Sequence, residues 1–160
     1  MSDESQQLIA ELEEQERRLV FPRFDEADAW ALGCLLVNLA TERSLPVAVD
    51  IRRGQQQLFH AGLPGSTADN DTWIERKVRV VYRFARSSFL VGRELAAKGR
   101  RLDEAMGVDP ILFAAHGGAF PIRVPGAGVI GVVTVSGLPQ AEDHALVVEA
   151  VETFLGADDD

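Results

Sequence analysis

His116-Gly117-Gly118 is the segment whose residue types and order best suit chemistry. Two glycines after an imidazole let the backbone turn its N–H groups onto one oxygen-rich group, as in an anion-binding nest. The same glycines also suit a tight bend where the chain enters a strand. Trp73 and Lys77 stand four residues apart, on one helix face in line with Val80 and Phe84. One reading makes that face an aromatic wall with an ammonium that meets an acidic ligand. The other makes Trp73 core and lets Lys77 snorkel to water. His116, Gly117, Gly118, Trp73 and Lys77 are therefore the candidate site, for a small anion or carboxylate.

Arg76, Arg79, Arg83 and Arg86 fall on one stripe of the same helix. A solvated face accounts for them, and so does an interface with acidic surface on another subunit, where arginine is favoured. Nucleic acid is a poor fit, because a net charge of −9 repels phosphate.

The remaining reactive residues do not assemble into a known catalytic pattern. His60, His116 and His144 lack metal-ligand spacing, and Asp143 and His144 are helix neighbours that point apart. A zinc centre needs three or four convergent ligands. Cys34 sits among Leu32, Leu35 and Leu36, which predicts a buried, inert thiol. Ser136 precedes Gly137 without a G-x-S-x-G frame, and Gly126, Gly128 and Gly131 belong to a turn and strand rather than a nucleotide fingerprint. No catalytic residue is assigned.

These side chains need a scaffold, and 160 residues with 46% hydrophobic and 26% charged content suit one globular domain. The single cysteine excludes an internal disulfide and fits a reducing, cytoplasmic setting. The acidic, polar start of the chain does not read as a signal peptide. The uncharged stretch from Ala29 to Thr41 is too short to span a bilayer.

Residues 3–18 read as a charged surface or interface helix with a thin strip of Leu8, Ile9 and Leu12. Leu19-Val20-Phe21 reads as a short strand. Asp25 caps a second helix that is apolar on nearly every face from Trp30 to Ala40, which predicts burial on both sides. Val47–Ile51 and Gln57–His60 form a hairpin about Arg53-Gly54-Gln55. Thr72 and Glu75 form a capping box for a helix running to about Ser88, and a further helix spans Val91 to Lys98. Phe120–Val124 and Val129–Ser136 are strands joined by a glycine-rich turn, and a last helix follows Pro139. Hairpin-linked strands with interspersed helices predict an antiparallel sheet and an α+β fold. The predicted organisation is a helix over 1–18, one domain over 19–156, and an acidic tail over 157–160.

Pro46–Ile51, Leu58–Asn70, Trp73-Ile74-Glu75-Arg76-Lys77 and Ala115–Ile122 occur in order with Gly128–Pro139 and Asp143-His144. Across roughly residues 19–155 this set resembles the haem-degrading-domain family, in particular its small uncharacterised microbial members. The resemblance implies a profilin-like, three-layer α-β-α domain with a central antiparallel sheet that forms homo-oligomers. The wider family includes a secreted haem-binding protein and an accessory protein of glycolate utilisation. Haem is therefore implied as a cofactor by the resemblance alone, since the residues themselves assign none and no C-x-x-C-H motif is present. Two function classes follow: a homo-oligomeric, non-catalytic small-anion binder, or a structural protein whose oligomer scaffolds a partner. Haem binding or degradation is the third.

Overall fold

The computed structural model describes residues 2–157. Ten elements run in the order α1 (Asp3–Arg18), α2 (Glu26–Glu42), β1 (Ala48–Arg53), β2 (Gln56–Gly62), α3 (Ala68–Phe84), α4 (Ser88–Ala97), α5 (Leu102–Met106), β3 (Ala119–Val124), β4 (Gly128–Ser136) and α6 (Gln140–Ala157). Of the expected acidic tail, only Ala157 is described, and it ends α6.

The strands form one antiparallel sheet in the order β2-β1-β4-β3. Strand alternation sorts its side chains between two helical layers. Val49, Ile51, Phe120, Ile122, Val133 and Val135 join the α2 and α6 residues Leu32, Leu36, Val147 and Val151 in the main core. Ala48, Ala119 and Val132 face the other way, onto Ile74, Val78 and Val81 of α3. The result is the α+β architecture expected, in three layers, and it places α3 and α6 on opposite faces of β4.

Local signals account for most element ends. Asp25 and Asp28 exchange side-chain bonds with each other's backbone N–H, closing a capping box on α2. Gly33 lets α2 lie against β2, since a Cβ there would enter the Phe59 ring.

Five expectations need correction. Leu19–Phe21 is not a strand: the segment runs beside β3 with one ladder-like bond, from Phe21 N–H to the Arg123 carbonyl at 2.8 Å. The box that opens α3 is Thr67 with Asn70, five residues before Thr72. That helix ends at Phe84, where Ala85 takes a left-handed conformation, so Ser87 can cap a separate α4. A short α5 was not anticipated. The fifth concerns Cys34 on α2, expected buried but only partly covered within the chain. The outer face of α2, expected against a second layer or another subunit, is left open by this chain, with Trp30 65% exposed and edge-on to Phe59.

The thin apolar strip of α1 is satisfied within the chain. Leu8, Ile9 and Leu12 pack on Phe89 and Leu90 of α4. No described helix is long and apolar enough to cross a membrane.

Candidate functional site

The chain leaves α5 through an irregular loop, reaches His116, and bends at Gly117-Gly118 into β3. That loop has few backbone partners of its own, so α3 supplies them. Arg76 donates to the Pro110 carbonyl at 2.8 Å and Arg79 to the Leu112 carbonyl at 2.9 Å. Two of the four stripe arginines thus hold this loop, and the others also have partners inside the chain. Arg86 pairs with Glu94, and Arg83 lies over Phe84.

The bend itself is tightly packed. Gly117 N–H donates to Oε1 of Gln140, the first residue of α6, at 3.0 Å. Gly118 has φ of +135°, and a Cβ there would run into the Val135 carbonyl oxygen and lie 2.8 Å from Lys77 Nζ. Both glycines thus answer close backbone approach, and the Gly117 N–H expected to be free for an anion is taken.

Lys77 departs furthest from expectation. It does not snorkel: it is 3% exposed, with Nζ 3.2 Å from Asp143 and 3.3 Å from the Val135 carbonyl. Asp143 also accepts from the N–H groups of Gly137 and Leu138. Burial holds the ammonium below its ordinary pKa against the pull of Asp143, and lifts Asp143 to about 6 despite Lys77. The pair ties α3 to α6 across the end of β4. Its charge is spent there.

Trp73 is partly covered, with its ring 5.2 Å from the His116 ring and tilted by 33°. Arg76 lies over the same indole at 4.4 Å, within cation–π range. His116 is held below its ordinary pKa, first by burial and then by Lys77, Arg76 and Arg93. Its imidazole is neutral at pH 7 and sits in a positive field.

Two clefts meet at His116 and Gln140. One, of about 260 Å³, is lined by Asp69, Trp73, Lys77, Ser136 and Asp143. The other, of about 290 Å³, is lined by Arg76, Arg93, Arg100, Arg101 and Asp103. Arg76 and Arg93 each keep a buried Nε–H with no acceptor among the described residues. Arg93, on α4, was not singled out from the sequence. No periodicity joins it to Arg76, which lies on a different helix.

With this geometry in view, the comparisons with known proteins decide the family. The model of the HbpS-like haem-degrading proteins matches residues 24–152. The chain belongs to that family. It is similar to a UPF0303 protein of Streptomyces coelicolor, 64% identical over 148 residues that cover 92% of this chain and 94% of that one. It is also similar to the solved Ybr137w protein, 35% identical with a TM-score of 0.86, covering 95% of this chain and 90% of that one. The solved PduOC–haem complex shares the fold at a TM-score of 0.69, but at 16% identity, covering 81% of this chain and 93% of that one.

Haem is the group the family implies, and the described residues do not fit an enclosed one. A neutral histidine is present as a potential axial ligand, but both clefts beside it are lined by charged side chains, and neither exceeds 300 Å³. A macrocycle needs an apolar slot as well as a ligand. The other histidines are committed: His60 bonds Asp71 at 2.7 Å, and His144 is buried with Nε2 2.8 Å from Gln15. Among the described residues no group of three or more His, Cys, Asp or Glu is placed to hold a metal ion.

Proposed function

We propose that this HbpS-like protein binds a small carboxylate or comparable oxyanion beside His116, with Arg76 and Arg93 supplying the charge. The observation that carries the reading is the pair of guanidinium groups with unpartnered Nε–H donors on two helices, flanking one neutral imidazole. In a chain of net charge −9, most arginines that bond a side chain bond a carboxylate, and these two do not. A planar guanidinium matches a carboxylate's two oxygens, and an anion would relieve the mutual repulsion of the two cations. This moves the anion from the Lys77 side of His116 to the arginine side. The reading is of a non-catalytic binder, working in the reducing cytoplasm that a single cysteine suits.

The test is titration of the protein with acetate, succinate, phosphate and haemin, followed by calorimetry and by the His116 proton signal. A bound anion should raise the His116 midpoint, because it offsets the three nearby cations. Arg93→Gln should weaken anion binding by about tenfold or more, the value of one charge-assisted contact, at unchanged melting temperature. An unmoved midpoint at saturating anion, or tight haemin binding with no anion effect, removes the reading.

A second reading, assembly with another copy, is favoured by one observation. Trp30 lies largely exposed on α2, next to the edge strand β2. Sedimentation at 17.4 kDa with no larger species would remove it.

A further inference from the structure

We infer that the ligand is an amino-carboxylate, held across His116 with its carboxylate among the arginines and its ammonium at Asp69. This rests on the anion reading above and adds the other end of the molecule.

The two clefts that share His116 and Gln140 carry opposite charge. On one side stand Arg76, Arg93 and Arg100, with Arg101 already paired to Asp103. On the other, the cation Lys77 is cancelled by Asp143, which leaves the exposed carboxylate of Asp69 uncompensated. The neighbouring acid, Asp71, is already bonded to His60. A simple anion uses the first cleft and ignores the second, and a dianion would be repelled by Asp69. A molecule with separated negative and positive ends satisfies both.

The bar between the clefts fits the middle of such a ligand. His116 is neutral, so it offers one donor and one acceptor and does not repel an ammonium. Gln140 spends its Oε1 on Gly117 N–H, which leaves its amide N–H groups to donate. Because the charged ends must pass on either side of His116, the ligand class is an ω-amino acid rather than an α-amino acid with adjacent charges.

The experiment titrates the protein with 5-aminovalerate, γ-aminobutyrate and glycine, beside valerate and butyrate as the forms lacking the amine. The best ω-amino acid should bind about tenfold tighter than its deaminated partner, the worth of one charge-assisted contact. Asp69→Asn should abolish that difference between 5-aminovalerate and valerate. Equal affinities for 5-aminovalerate and valerate, with Asp69→Asn silent, would overturn the amino-carboxylate while leaving the anion site standing. If neither series binds, the anion reading itself fails and takes this inference with it. Circular dichroism of the Asp69→Asn protein guards against misfolding, because Asp69 also sits in the first turn of α3.

Discussion

Glu16 is a buried carboxyl near the end of α1. It ends the α1 docking surface, is 7% exposed, and accepts a hydrogen bond from Ser87 N–H at 3.1 Å. Arg123 stands 3.9 Å from that same oxygen, and the other oxygen has no partner among the described residues. Arg86 and Glu94 also face it, with opposite effects. Burial outweighs Arg123 and raises the carboxyl from 4.5 to about 7. In the folded protein the proton therefore stays on where the unfolded chain has lost it. The stability due to that proton is fully present below pH 4.5 and is lost as pH rises to about 7. At 1.36 kcal/mol per pH unit, the loss is about 3 kcal/mol.

Glu16→Gln keeps an acceptor for Ser87 N–H and cannot ionise. Urea unfolding of both proteins, from pH 4.5 to 8, isolates this one group. Asp143, raised to about 6, also loses stability as pH rises; His144, lowered to about 4, has its contribution present above pH 6.5 and lost as pH falls. Both are common to the two proteins and cancel in the difference. The variant should match the parent near pH 4.5 and gain about 3 kcal/mol on it by pH 8. Parallel curves across the range would refute the argument, because they would mean that Glu16 is solvated when α1 docks.

Gly118→Ala should lower stability by about 2 kcal/mol or more, because positive φ and a blocked Cβ act together; a melting temperature within a degree or two of the parent would contradict this. Lys77→Met strands the Asp143 charge and should cost about 3–5 kcal/mol at neutral pH, whereas Lys77→Met with Asp143→Leu should recover most of it. Equal losses in the single and double variants, measured by denaturant unfolding, would mean that the cost is packing rather than charge. Cys34, partly covered on α2, should react with a small thiol reagent in the folded protein, and complete protection until unfolding would place it in an interface.

The fold was legible wherever the signal was local. Asp25 with Asp28, the turn at Gly54, and the apolar run of β4 each act within a few residues, and each appears where expected. Where two local signals competed, the pattern favoured the wrong one. Thr72 with Glu75 fits the capping-box pattern, whereas Thr67 with Asn70 lacks the usual Glu or Gln and does not read as one. The earlier pair opens the helix, and Glu75 instead bonds Arg52 across to β1 at 2.5 Å. A strand partner took the side chain that the later box needed.

The site was harder to read because its decisive contacts are long-range. Lys77 stands on the same helix face as Trp73 and Val80, where a snorkelling lysine is the ordinary expectation. Its partner Asp143 lies 66 positions away, so no spacing rule could pair them. That one ion pair redistributes the charge around His116. It takes the expected ammonium out of play, draws Asp143 into the end of β4, and shifts the positive charge near His116 to Arg76 and Arg93. His116 was singled out for its two glycines, yet those glycines serve packing against Val135 and Gln140. The histidine keeps its place as candidate for a different reason, namely that Arg76 and Arg93 flank its ring at the junction of two clefts of opposite charge.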